Sequence, residues 1–279
     1  MQPAPSANLD EIEKRPQFRP RPDISHVVLD FDGTLSLLRG NWQTTMLNLF
    51  LEWLPTNGDE SREVLQTDLR AEILSFNGRQ PIHQMRAFAA RVEARGGASQ
   101  PAETYLEGYA RRLRLDVNAR IESVCTGKVD RDEFLVHGAR TLLDQLRAKG
   151  FCLTLLSGTD EDFVREETEL LGLTHYFDGG IFGGTPDPAH FSKERVYADL
   201  MKRDGIRGDN LLSFGDGPVE IKSTAQLGGL PVAVASDECA NGSGKVHAEK
   251  RAVLVGAGAE IVIADYRDAA NLLSVLLGS

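Results

Sequence analysis

Two hydrophobic rhythms divide this chain. The first is dense: Ile24, Val27, Val28 and Leu29 form a short apolar run that ends in the turn residues Asp32-Gly33-Thr34. Such a run predicts a strand buried on both faces, as in a parallel sheet. The second rhythm is helical. Trp42, Met46, Leu49, Phe50 and Trp53 recur at three- and four-residue spacing over 41–54, and Val64, Leu65, Leu69, Ile73 and Leu74 do so over 60–76. Ile82, Met85, Phe88, Ala89 and Val92 repeat the pattern over 81–95, closed by Gly96-Gly97, and a fourth helix is predicted over 102–115. No strand pattern interrupts this block.

Dense runs then return, alternating with amphipathic ones. Strands are predicted at 151–156, 210–214, 231–235 and 261–264, with a short strand and loop over 176–182. Helices are predicted over 138–149, 162–171, 192–203, 221–227 and 251–257. Alternation of this kind builds βαβ units, and so an α/β fold whose parallel sheet carries helices on both faces. The expected organisation is an α/β core of residues 23–38 and 130–279, interrupted by a helical domain of residues 39–129. A helical insert directly after an acidic loop suits a cap or lid, with hinges at 36–40 and 126–132. Residues 1–22, rich in Pro, Arg and Glu, lack periodicity and are expected to form a flexible N-terminal arm.

Composition removes several function classes. A formal net charge of −10 argues against general affinity for nucleic acid or anionic membrane. Three scattered cysteines, Cys125, Cys152 and Cys239, show no zinc-ligand spacing and suit a reducing compartment. No apolar segment is long enough to span a bilayer and none resembles a signal peptide, so a cytoplasmic protein is expected.

The candidate chemistry lies at the strand ends, where open α/β sheets bind ligands. Asp30 and Asp32, two apart in an extended segment, project to one side. The strand over 151–156 runs into Ser157-Gly158-Thr159, a hydroxyl and N–H set suited to an anion, although Ser157 or Thr159 would equally serve as a helix cap. Lys193 opens a helix, where the dipole disfavours a cation, so a nearby anion explains it better. The strand over 210–214 ends in Gly215-Asp216-Gly217, with Glu220 one helical turn beyond Asp216. Like charges so spaced repel unless a cation lies near, and oxygen ligands of this kind suit magnesium.

In this order the residues resemble the four motifs of the haloacid dehalogenase-like superfamily: Asp30-Phe31-Asp32-Gly33-Thr34, then Ser157, Lys193, and Gly215-Asp216-Gly217 through Glu220. The resemblance covers about residues 24 to 265 and is nearest to the capped phosphatases similar to phosphoglycolate phosphatase. It implies a Rossmann-like doubly wound parallel sheet with an inserted all-helical cap domain. It also implies a Mg²⁺-dependent phosphatase acting on a small phosphorylated metabolite through an aspartyl-phosphate. Asp30 would be the nucleophile and Asp32 the general acid and base. Asp30, Asp32 through its backbone carbonyl, and Asp216 would hold the metal, supported by Glu220; many relatives carry Asp at that last position. Ser157, Gly158, Thr159 and Lys193 would hold the phosphoryl oxygens. A phosphatase needs an acid at Asp32, which a dehalogenase does not. Arg79, in the polar break Asn77-Gly78-Arg79-Gln80, is a candidate for substrate selection, with Arg39 as its rival. The run around 217–221 with 232–238 also looks like phosphatase-like domains associated with sugar kinases, a pointer to a phosphorylated sugar or polyol. A phosphomutase and a catalytically silent module on the same scaffold are the alternatives. Monomer and homodimer both remain open.

Overall fold

The computed structural model describes residues 12–56, 58, 60–185 and 191–278. Its centre is a seven-stranded sheet in the order β1-β7-β6-β5-β2-β3-β4. The strands are β1 (Glu13–Lys14), β2 (His26–Leu29), β3 (Cys152–Asp160), β4 (Gly180–Gly184), β5 (Leu211–Gly215), β6 (Leu230–Val234) and β7 (Ile261–Ile263). All neighbours run parallel except β1, which pairs antiparallel to β7. β2 is flanked by β3 and β5, with Leu29 in register with Leu155 and Phe214. Asp30, Ser157 and Asp216 therefore emerge side by side within two residues of one level.

The dense runs are strands because both sides of the sheet are covered. Val27 and Leu29 enter one apolar cluster, with Leu142, Leu146 and Leu153; Val28 enters another, with Leu156, Tyr197 and Leu200. The helices supplying those residues are α5 (Ala139–Ala148) and α7 (Lys193–Asp204).

The stripes between 42 and 125 form α1 (Trp42–Trp53), α2 (Arg62–Ser75), α3 (Pro81–Ala94) and α4 (Ala102–Cys125). They bury an apolar cluster of their own, in which Phe50 and Phe88 stack 3.9 Å apart and Tyr105 meets Phe88 edge-on. The chain leaves the sheet and returns to it side by side: the Leu37 N–H donates to the Phe134 carbonyl and the Val136 N–H to that of Leu35. From α4, Arg120 clamps the exit by donating to the carbonyls of Leu38 and Gly40.

Five expectations change. The flexible arm is not loose from Ile12 onward: β1 extends the sheet edge, and Glu13 and Arg21 pair with Arg251 and Glu260. Charge complementarity with the β7 edge, invisible to periodicity, holds it there. Residues 1–11 lie outside the described residues. α4 continues to Cys125, ten residues beyond the expected end at 115, because the stripe carries on through Val117 and Ile121. β3 runs through Ser157-Gly158-Thr159 rather than stopping before it, and β4 takes in Gly183-Gly184, expected as a loop. Finally, α10 (Ala269–Leu277) was not foreseen; its Leu272, Leu273 and Leu276 complete the core. The remaining elements, α6 (Glu161–Leu170), α8 (Pro218–Gln226) and α9 (Ala248–Gly256), lie near their expected places.

Candidate active site

The loop after β2 folds on the Phe31 carbonyl, which accepts from the N–H groups of Leu35 and Ser36. Gly33 turns it with φ +73°, and a Cβ there would lie 2.2 Å from Asp216 Oδ2. Glycine is therefore needed twice, for the turn and for the approach of the acid. The Thr34 hydroxyl links the two motifs, lying 3.4 Å from Asp30 Oδ2 and accepting the Asp216 N–H at 3.0 Å.

Asp30 is buried, and its Oδ1 accepts from Lys193 Nζ at 2.5 Å. The same ammonium bonds Glu220 Oε1. Lys193 is 2% exposed, so the whole triad is withdrawn from water. Asp32 is bound differently. Its Oδ2 accepts from the Thr159 hydroxyl at 2.8 Å and the Ser157 hydroxyl at 3.3 Å, and its Oδ1 is buried without a hydrogen bond, 3.8 Å from Arg39 Nε. Burial raises the Asp32 pKa above the ordinary carboxylate value, opposed by Arg39 and reinforced by Asp30.

Asp216 faces a second buried lysine. Lys250 Nζ donates to Asp216 Oδ2 at 2.9 Å and to Glu238 Oε1 at 2.6 Å. Burial pushes the Asp216 pKa up to about 7, with Asp30 adding to the rise and Lys250 opposing it. The carboxylates of Asp216 and Glu238 hold Lys250 well above the usual ammonium value, against the opposing effect of burial.

The structure brings together every core residue expected at the site: Asp30, Asp32, Ser157, Gly158, Thr159, Lys193, Asp216 and Glu220. It changes the wiring. Glu220 is on Lys193, and among the described residues no three or more His, Cys, Asp or Glu side chains form a group able to hold a metal ion. A smaller donor set does fit a cation. Asp216 Oδ1 is buried and unbonded, and Asp30, Asp216, Glu220 and Glu238 face only two ammoniums, an excess of formal negative charge. Two carboxylates completed by carbonyl oxygen and water is the habit of Mg²⁺.

From the helical side, the 77–80 turn closes on this floor. The Asn77 amide donates to the Asp216 carbonyl at 3.0 Å, and the Arg79 carbonyl lies 3.1 Å from where a Gly158 Cβ would stand. The Arg79 guanidinium is over the Phe76 ring and makes no bond to the core acids; Arg39 lies nearer, 3.8 Å from Asp32 Oδ1, and its hydrogen-bonded pair is with Glu167 of α6 at 2.6 Å. Two adjacent spaces result, with lining residues in common. A cavity of about 80 Å³ touches Asp30, Asp32, Ser157 and Gly158, and a larger one of about 580 Å³ opens beyond Arg39, Tyr109 and Thr159 between α4 and α6.

Sequence reasoning missed Lys250 and its partner Glu238. The signal was available: Lys250 lies in the first turn of α9, the same dipole-disfavoured position that singled out Lys193. Expecting that helix to start at Arg251, three residues past its actual start at Ala248, hid it.

Residues 24–228 match the family model of the haloacid dehalogenase-like hydrolases. Over 100 residues the chain is 30% identical to the phosphoglycolate phosphatase of Synechococcus elongatus, a match covering 36% of this chain and 45% of that protein, under half its length. A protein from Bacteroides vulgatus assigned as a β-phosphoglucomutase superposes with a TM-score of 0.61 at 14% identity, over 92% of this chain and 90% of that one. A phosphonoacetaldehyde hydrolase-like protein from Oleispira antarctica gives 0.60 at 13% identity, over 95% and 98%. These structures share the fold. With the family match spanning most of the chain and its motifs gathered at one set of strand ends, the protein belongs to the haloacid dehalogenase-like hydrolases.

Proposed function

We propose that this protein is a Mg²⁺-dependent phosphatase that hydrolyses a small phosphate monoester through an aspartyl-phosphate on Asp30. The observation that carries this reading is the contrast between two neighbouring acids. Asp30 is fixed by a buried ammonium, whereas Asp32 is held by two hydroxyls in a setting that raises its pKa. One environment suits a nucleophile and the other an acid that gives a proton and takes one back.

Asp30 and Asp216 would hold the metal, with Asp216 Oδ1 free of protein partners for the purpose. Once bound, the cation would offset negative charge between the attacking carboxylate and the phosphate. In the first step Asp30 Oδ attacks phosphorus while Asp32 protonates the departing ester oxygen. In the second, Asp32 takes a proton from water, which attacks the same phosphorus and releases Asp30. The Ser157 hydroxyl, the Gly158 N–H and Lys193 would hold the three phosphoryl oxygens, the place where preorganised donors act most strongly. Glu220 aims Lys193, and Lys250 fixes Asp216. The four helices act as the cap: the 77–80 turn roofs the small cavity and leaves room beside it for a leaving group.

The test is phosphate release from phosphorylated sugars, polyols, nucleotides and glycolate, with Mg²⁺, with chelator, and with Asp30→Asn. Metal-dependent release that is lost in the variant supports the reading. A required bisphosphorylated activator would move it to a phosphomutase, and no release from a folded, metal-supplied protein would move it to a silent module.

A further inference from the structure

The larger cavity beside the site bears on the kind of leaving group the site could take. It holds about 580 Å³ and shares Arg39, Pro81, Tyr109, Leu113 and Thr159 with the small cavity over Asp30. A leaving group too long for the small cavity would reach it across that shared border. Its volume lies in the range that takes a drug-sized molecule, far more than a two-carbon acid would fill.

One wall is a continuous apolar stripe. Leu106, Ala110, Leu113, Val117 and Ile121 lie three or four apart along α4, and so on one face of that helix. No side chain in this stripe donates or accepts a hydrogen bond. Phe163 of α6 and Ile82 of α3 also line the space. A hexose or polyol bears a hydroxyl on nearly every carbon, and each one pressed against such a wall would lose its water partner without replacement. An apolar body gains by the same burial. The opposite wall carries charge, with the largely buried Arg39–Glu167 pair and Asp160 on it. Toward solvent Arg86 and Arg114 line the cavity, are exposed, and form no ion pair among the described residues, while Arg114 lies 5.2 Å from the centre of the Phe163 ring.

We infer that the substrate is a phosphate monoester whose leaving group has a ring-sized or larger apolar body, aryl or alkyl, seated against the 106–121 face of α4. This rests on the phosphatase reading and replaces the sugar or polyol expectation with a different class.

Two measurements on the full chain separate the inference from that reading. The first compares kcat/KM with Mg²⁺ for 2-naphthyl phosphate, glucose 6-phosphate and phosphoglycolate, in the wild type and in Val117→Trp, which fills the cavity. Leu106→Trp, at a half-buried point of the stripe, replaces it if Val117→Trp does not fold. The naphthyl ester should be preferred, and its advantage over phosphoglycolate should drop by about tenfold or more in the variant. The second is calorimetric binding of 2-naphthyl phosphate to Asp30→Asn, with and without the tryptophan. Binding weakened by the tryptophan supports the inference even if no ester is hydrolysed, the outcome that would sink the phosphatase reading alone. Preference for the sugar or the glycolate ester, or binding that the tryptophan leaves unchanged, overturns it.

Discussion

The floor and the roof of the site are built on opposite principles. The floor, at the carboxyl ends of β2, β3 and β5, packs Asp30, Asp216, Glu220, Lys193 and Lys250 out of water, each with a partner at bonding distance. The roof, from α4 and the 77–80 turn, offers an apolar face and empty space. Buried charges tolerate little displacement, because a lost partner leaves an uncompensated ion in a medium of low polarity. An apolar wall tolerates changes of shape that keep it apolar and of similar volume. Under the proposed function the comparison teaches a division of labour: the floor would determine which reaction occurs and the roof which molecule undergoes it.

Breaking the floor should have the largest effect. Asp30→Asn should lower phosphate release by roughly 10³-fold or more while leaving the fold intact, since nucleophile removal costs most of the rate gain; steady-state kinetics with circular dichroism checks both. Asp32→Ala should lower kcat by about 10² to 10⁴, the usual range for losing a positioned acid. Esters with good leaving groups should suffer least, and a comparison of 4-nitrophenyl with alkyl phosphates would reveal it. Lys250→Met leaves Asp216 and Glu238 facing each other, and should lower unfolding stability by about 3–5 kcal/mol in urea titration. Adding Glu238→Gln to that variant should recover part of the loss.

The seam between floor and roof should respond less. At Gly158 an added Cβ would lie 3.1 Å from the Arg79 carbonyl, so Gly158→Ala should push the turn away and raise KM more than it lowers kcat. Kinetics on one good ester decides it. The smallest effect concerns Glu167, which pairs with Arg39 on the border of the two spaces. Burial, opposed by Arg39, pushes its pKa up to about 7 from an unfolded value of 4.5. The native state then keeps a proton that the unfolded chain releases. The group's contribution is therefore complete below pH 4.5 and is lost as pH rises toward about 7. Glu167→Gln removes that dependence, so between those limits Tm should decline less steeply in the variant than in the wild type.

Much of the floor, though not Lys250, was legible in the sequence because its aspartates sit at breaks in hydrophobic rhythm. Asp30 and Asp216 follow dense runs, and a dense run in an α/β chain ends where ligands bind. Lys193 stood out because a helix N-terminus disfavours a cation. The roof was legible only as four helical stripes. Periodicity says which face of α4 is apolar, but an apolar face covered by α1 and α3 and one left lining a cavity read alike.

By itself, then, the chain determined the class of fold, the helical insert and which acids would meet at the strand ends, since each depends on local spacing or on a strand's end. Only the tertiary structure decided which charge meets which. Lys193 binds Asp30 and Glu220, Lys250 binds Asp216 and Glu238, and Glu13 holds the N-terminal segment to the sheet edge through Arg251. Such pairings join residues up to 238 positions apart. Their partners are chosen by strand order and register, which no local pattern encodes.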